Sequence, residues 1–146
     1  MSEALYQALV LKAGQHPHYA GRPLEFDALG QAENRMCGDS VQVFYTQAQQ
    51  SWRHEAQGCA ILLASAEFMC AAAAGKTADE LQTLHHQFEN LVKTGEENPD
   101  LGDLNALASI AHYPARLRCA TLPWDALANA LANALAGTSA GVRANG

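Results

Sequence analysis

The chain has 146 residues, nearly half of them apolar, and a formal charge of -6 at neutral pH. That length suits one domain able to bury a core without disulfides; the acidic balance argues against nucleic acid as the main partner, because phosphate binding needs a basic surface; and the longest uncharged apolar run, Cys59 to Ala66, falls far short of the roughly 18 residues of a membrane span. Glu3 stands where a secretory signal would carry positive charge, so a cytoplasmic location is expected, in which four cysteines are free, metal-bound or reactive instead of paired.

From Ser2 to Gly14, Leu5, Tyr6, Leu9 and Val10 form a helical stripe that Gly14 is expected to close. Gln15 to Gly30, interrupted by glycines and prolines, reads mostly as loop. Val41, Val43 and Tyr45 then alternate with polar residues up to Thr46. After a polar turn at Gln47 to Gln50, Trp52, His54 and Ala56 alternate with Arg53, Glu55 and Gln57. The two runs form an antiparallel hairpin that delivers Gly58-Cys59 at its end, with a third strand near Glu25 to Ala32.

The remainder has helical spacing. Ile61, Ser65, Phe68 and Ala72 share a face from Ala60 to Ala74, and Gly75 ends that helix. Thr77-Ala78-Asp79-Glu80 is a capping box, followed by a buried stripe of Leu81, Leu84, Phe88, Leu91 and Val92. Gly95 to Pro99 is a break, and Leu101 to Ile110 a short helix. Trp124, Leu127, Leu131 and Leu135 mark a last helix with Pro123 in its first turn, where a missing amide proton costs little; its alanine-rich run reads as packing. Residues 1–136 are expected to form a single domain and 137–146 a flexible tail.

Three cysteines stand in separate contexts: Cys37 in Cys37-Gly38-Asp39 before a strand, Cys59 at a strand-to-helix junction, and Cys119 close to a helix start. Helix N-termini favour thiolates, and metal binding does so more strongly. With Asp39 as a fourth donor the set has the stoichiometry of a tetrahedral zinc or iron site; the alternative is three buried cysteines acting as small hydrophobes.

These residues also resemble the iron-sulfur assembly proteins of the IscU, SufU and NifU N-terminal group. Cys37-Gly38-Asp39 is similar to the first ligand motif, and Gly58-Cys59-Ala60-Ile61 with Ala64-Ser65-Ala66 and Met69 to the second. Gly75-Lys76-Thr77 matches an inter-helix turn, and Tyr113-Pro114-Ala115-Arg116 with Cys119-Ala120-Thr121-Leu122 and Trp124 resembles the third. The likeness spans about Leu5 to Leu131. It implies an α+β fold in which a small antiparallel three-stranded sheet packs against several helices.

Arg118 stands where scaffold-type members have histidine, their Leu-Pro-Pro-Val-Lys segment is missing, and Leu101-Gly102-Asp103-Leu104 resembles the insertion of the SufU branch. That branch implies zinc held by Cys37, Asp39, Cys59 and Cys119. It also implies a PLP-dependent, SufS-like cysteine desulfurase as partner, with downstream iron-sulfur assembly proteins as recipients of sulfur. On this reading the chain is a sulfurtransferase-like partner of the desulfurase, not a stand-alone enzyme: Cys37 is the sulfur acceptor, and Arg116 stabilises its thiolate or persulfide. The alternatives are a scaffold that assembles a [2Fe-2S] cluster on the same ligands and a structural zinc domain. Departures such as Ala13 to Tyr19, Arg35, Leu62 and Glu67 bear on partner contacts more than on metal binding. Cys70 reads as a buried free thiol, His85 and His86 as solvent-exposed, His16 and His18 as unspecific loop histidines, and His112 as a substitute ligand to watch near Cys119.

Overall fold

The computed structural model describes residues 3–135. In chain order these form helix α1 (Glu3–Gln15), strands β1 (Ala28–Asn34), β2 (Asp39–Thr46) and β3 (Ser51–Gln57), and helices α2 (Ala60–Ala73) and α3 (Ala78–Thr94). Two 3-10 segments, Pro99–His112 and Pro114–Arg116, lead into α4 (Leu117–Leu135). The sheet is antiparallel in the order β1-β2-β3. This is the α+β architecture expected from the sequence. Among the described residues, no helix is long and apolar enough to cross a membrane.

The strand register explains the alternation. Ala28, Tyr45 and Trp52 lie side by side, as do Gly30, Val43 and His54, and then Ala32, Val41 and Ala56, so these rows make the face against the helices. Asn34 and Asp39 end the same face. On the opposite face Phe44 is fully buried by the segment before β1: Phe26 packs edge-on at 5.1 Å between ring centroids, and the Arg22 guanidinium lies over both rings.

Helix α4 lies on β1. A Cβ on Gly30 would stand 1.9 Å from the Ala126 carbonyl oxygen and 2.4 Å from the Ala130 nitrogen, so the helix sits directly on the strand backbone. Ala126 and Ala130 are fully buried, which accounts for the alanine-rich run as packing. The same run manages the sheet edge: Asn129 and Asn133, one turn apart, donate side-chain amide bonds to the carbonyls of Gln31 and Leu29 at 2.8 and 2.7 Å.

Several helix details differ from the sequence reading. Gly14 lies inside α1, which runs on to Gln15, and Leu5 is exposed while Tyr6 and Val10 are buried. In α2 the buried residues include Leu62, Ala66, Met69 and Ala73; of the expected stripe Ser65 is fully buried, while Ile61, Phe68 and Ala72 are only partly so. That helix packs against β3, α1 and α4, so its periodicity carries little contrast between faces. The short helix expected at Leu101 to Ile110 is a longer 3-10 segment broken at Gly102, whose φ of +53° favours glycine. Pro123 is not in a first turn: α4 begins at Leu117, so the proline sits in the helix interior and leaves the Cys119 carbonyl without its usual amide donor. The capping box holds as expected, with Glu80 N–H donating to the Thr77 hydroxyl at 3.2 Å and Thr77 N–H to the Glu80 carboxylate at 2.9 Å. Residues 137–146, expected as a flexible tail, lie outside the described residues.

A buried polar pair joins β3 to α2. His54 Nε2 and Glu67 Oε2 lie 2.7 Å apart, and the backbone N–H groups of His18 and Tyr19 donate to the same carboxylate at 2.6 and 3.0 Å. The segment before β1 is stitched on further by His54 N–H to Tyr19 O at 2.9 Å, Gly21 N–H to His54 O at 2.8 Å, and Arg53 donating to the carbonyls of Ala20 and Gly21. Burial pushes the Glu67 carboxyl up, but the hydrogen bonds from His54, His18 and Tyr19 outweigh it and hold the group below the usual carboxylate range.

Two predictions follow from these contacts. Gly30→Ala is expected to destabilise the fold by about 1–3 kcal/mol in urea unfolding, the usual cost of overpacking; wild-type stability would show that α4 can rise off β1 without loss. Because the folded Glu67 carboxyl is depressed, its contribution is present above the unfolded value of about 4.3 and is lost as pH falls through the lower folded value. The stability advantage of wild type over Glu67→Gln is therefore expected to be full at pH 6 and to shrink below about pH 4. An advantage independent of pH would contradict it.

Candidate metal centre

Asp39, Cys59 and Cys119 converge from three elements. Asp39 opens β2, Cys59 is the N-cap residue of α2, and Cys119 is the third residue of α4. Their ligand atoms all lie within 4.8 Å of one another, and the Cys119 thiol donates to Asp39 Oδ2 at 3.4 Å. Asp39 and Cys119 are each 5% exposed and Cys59 is half-buried, so the cluster is largely withdrawn from water yet open on one side. Cys59 makes no side-chain cap bond, which leaves its sulfur available.

Gly58 gives Asp39 its room. A Cβ there would stand 2.5 Å from Asp39 Oδ1 and 2.5 Å from Leu62 Cδ2, so a larger residue forces the Asp39 and Leu62 side chains to shift. The glycine before the second cysteine is thus set by close approach.

The donor set suits a soft divalent cation. Burial, reinforced by the neighbouring Cys59 and then Asp39, pushes the Cys119 thiol up to about 12. Groups that share the preference for negative charge are crowded together here, and a cation bound among them would take the place of the proton. Two thiolates and a carboxylate provide three corners of a tetrahedron.

Cys37 stands outside this cluster. It lies exposed on the turn between β1 and β2, followed by Gly38 with a φ of +72°, the left-handed region that glycine favours. Its N–H donates to Asn34 O at 3.2 Å, and its sulfur accepts from Asn34 Nδ2 at 3.6 Å. Arg116 ends the second 3-10 segment, exposed, and lines a groove of about 630 Å³ together with Cys59, Tyr113, Ile110 and residues of α1. Arg118 pairs instead with Asp125 on its own helix.

Of the other singled-out residues, Cys70 is fully buried, and burial raises its thiol strongly, as befits an inert core residue. His112 is exposed and outside the ligand cluster. His86 is exposed as expected, but His85 is half-buried with its ring 5.7 Å from Trp124, because α3 and α4 close over it. Sequence reasoning missed the His54–Glu67 pair, Gly58's steric role and the bond from Asn34 to the Cys37 sulfur. The signal for the first was available: a histidine on the inward register of β3 and a glutamate in the middle of an apolar helix both occupy slots that call for apolar residues.

A profile described as NifU-like N terminal domain matches residues 5–133. The chain belongs to that family. This NifU-like domain is 34% identical over 132 residues to a Streptococcus pyogenes protein named iron-sulfur cluster assembly scaffold protein IscU, covering 86% of this chain and 82% of the relative. It is 29% identical over 130 residues to the Bacillus subtilis zinc-dependent sulfurtransferase SufU, covering 86% and 88%. Among solved structures, the putative SufU scaffold protein of Fervidobacterium islandicum AW-1 superposes on this NifU-like domain with a TM-score of 0.78 at 25% identity, over 90% of this chain and 99% of that one.

Exposure orders the cysteines by reactivity. In metal-free folded protein, limiting iodoacetamide is expected to modify Cys37 first and Cys59 more slowly, with Cys119 and Cys70 spared until the chain unfolds, as read by peptide mass spectrometry. Early labelling of Cys119 would contradict the buried cluster.

Proposed function

We propose that this NifU-like domain is a zinc-dependent sulfur acceptor that takes persulfide sulfur from a PLP-dependent, SufS-like cysteine desulfurase and passes it on to downstream iron-sulfur assembly proteins. The carrying observation is the separation of the four donors: Asp39, Cys59 and Cys119 sit together on the ends of three elements, while Cys37 waits exposed on a turn. The likeness to a relative named as a zinc-dependent sulfurtransferase supports the same reading.

Asp39, Cys59 and Cys119, with Cys37 as the fourth, are the residues that would hold zinc. When bound, zinc supplies positive charge that keeps its sulfur ligands deprotonated at neutral pH. The chain's own part in the transfer is then simple. The Cys37 thiolate attacks the outer sulfur of the desulfurase persulfide, the sulfur–sulfur bond of that persulfide breaks, and the desulfurase cysteine leaves as a thiolate while Cys37 carries the new persulfide. Asp39, Cys59 and Cys119 anchor the site throughout. Arg116, on the rim of the groove that includes Cys59, offers a fixed cation to the anionic sulfur.

A second reading is a scaffold that builds a [2Fe-2S] cluster as cargo on the same four residues, favoured by the 34% identical relative named as a scaffold protein. Metal analysis and the visible spectrum of aerobically purified protein separate the two: stoichiometric zinc with no visible bands supports the acceptor, and iron with charge-transfer bands supports the scaffold. The acceptor reading further expects this domain to stimulate desulfurase turnover, Cys37→Ala to abolish the stimulation, and chelation or Cys59→Ala to lower the melting temperature. A Cys37→Ala variant that stimulates as well as wild type sinks it.

A further inference from the structure

Asn34 ends β1 and pairs in register with Asp39, so the four residues between them form the turn that carries Cys37. Two hydrogen bonds tie the cysteine back to Asn34. The backbone bond, Cys37 N–H to Asn34 O at 3.2 Å, shapes the turn and survives any change of side chain. The second runs from the Asn34 carboxamide Nδ2 to Cys37 Sγ at 3.6 Å, a reach suited to the larger sulfur atom. Among the described residues it is the one side-chain hydrogen bond to that sulfur. The neighbouring cation is engaged elsewhere, since Arg35 Nε pairs with Glu33 at 2.9 Å.

The structure shows the Cys37 sulfur on the turn against the Asn34 amide; the sulfur-acceptor reading gives it a second place, beside Asp39, Cys59 and Cys119 as the fourth donor. We propose that Asn34 is a positioning residue that holds the Cys37 sulfur on the turn, outside the ligand cluster, and so sets the fraction of molecules in which Cys37 stands free to receive sulfur. This rests on the sulfur-acceptor reading above. A contact made in only one of two states biases the equilibrium between them by the worth of that contact. An exposed hydrogen bond is modest in strength, so the amide shifts the balance by about two- to tenfold and leaves both states populated.

The test uses the full chain loaded with zinc and stripped of it, as wild type, Asn34→Ala and Asn34→Asp; the last keeps the shape of asparagine without the N–H donor. Cys37 alkylation by iodoacetamide is followed by peptide mass spectrometry, zinc affinity by competition with a chromophoric chelator, and folding by thermal melting. Both variants are expected to lower the ratio of zinc-loaded to metal-free Cys37 alkylation rates about two- to tenfold and to tighten zinc binding by a similar factor. Taking the ratio removes changes in the intrinsic reactivity of the thiol. A ratio that is unchanged or raised in both variants overturns the proposal, and so does a lowered melting temperature with faster Cys37 labelling, which would make Asn34 a turn stabiliser only. Either result leaves the acceptor reading intact if wild type binds zinc and stimulates the desulfurase. Wild type that takes up no zinc overturns both, and is seen before any variant is compared.

Discussion

The seating of α4 on the backbone of β1 governs the rest of the molecule. With no side chain at Gly30, the helix descends until the Ala126 carbonyl and the Ala130 nitrogen occupy the space a Cβ would need. The bonds from Asn129 to Gln31 and from Asn133 to Leu29 fix its direction as antiparallel to the strand. A seated helix is a lever of known length. Cys119 lies seven residues before Ala126, about 10 Å along the axis, while Asn34 lies four residues beyond Gly30, about 13 Å along the strand. Both distances lead to the same end of the sheet, where Asn34 pairs with Asp39 and Asp39 meets Cys119. The ligand cluster is thus a consequence of helix-on-strand packing in the middle of the domain.

A cluster positioned in this way places groups of the same charge preference together before any metal arrives. Its cost is visible in the Cys119 thiol, which burial, Cys59 and Asp39 hold protonated to far above neutral pH. A cation held there would take the place of that proton and couple metal uptake to the stability of the three elements that meet there. The exposed Cys37 lies outside that crowding.

Much of this was legible in the chain itself. The cysteine motifs marked Asp39, Cys59 and Cys119, which the fold brings together, the alternation of Val41, Val43 and Tyr45 against Trp52, His54 and Ala56 revealed the hairpin, and Thr77 with Glu80 marked a helix start. Each is a local signal carried by neighbouring residues. The misreadings share the opposite property. Pro123 follows the rule for a first-turn proline until Leu117 is seen to begin the helix six residues earlier. The buried face of α2 is blurred because several elements pack around it. His54 and Glu67 are thirteen positions apart and meet only when α2 folds back over β3. The offset of Cys37 from the other donors depends on the conformation of one turn, which no pattern of residue types reports.

One further feature makes the seating of α4 visible from outside. The Trp124 indole lies flat on Phe88, with ring centroids 4.6 Å apart and planes 15° from parallel. Its N–H donates to the Ser65 hydroxyl at 3.2 Å, and that hydroxyl donates at 2.6 Å to the carbonyl of Ala120, the residue after Cys119. The indole is thus wired through one hydroxyl to the turn that bears a ligand. Trp52 on β3, the chain's other tryptophan, lies tilted against Tyr45 of β2, away from that wire. The fold therefore contains its own optical gauge: a fluorophore whose surroundings follow the first turns of α4, with a second on the sheet as its internal reference.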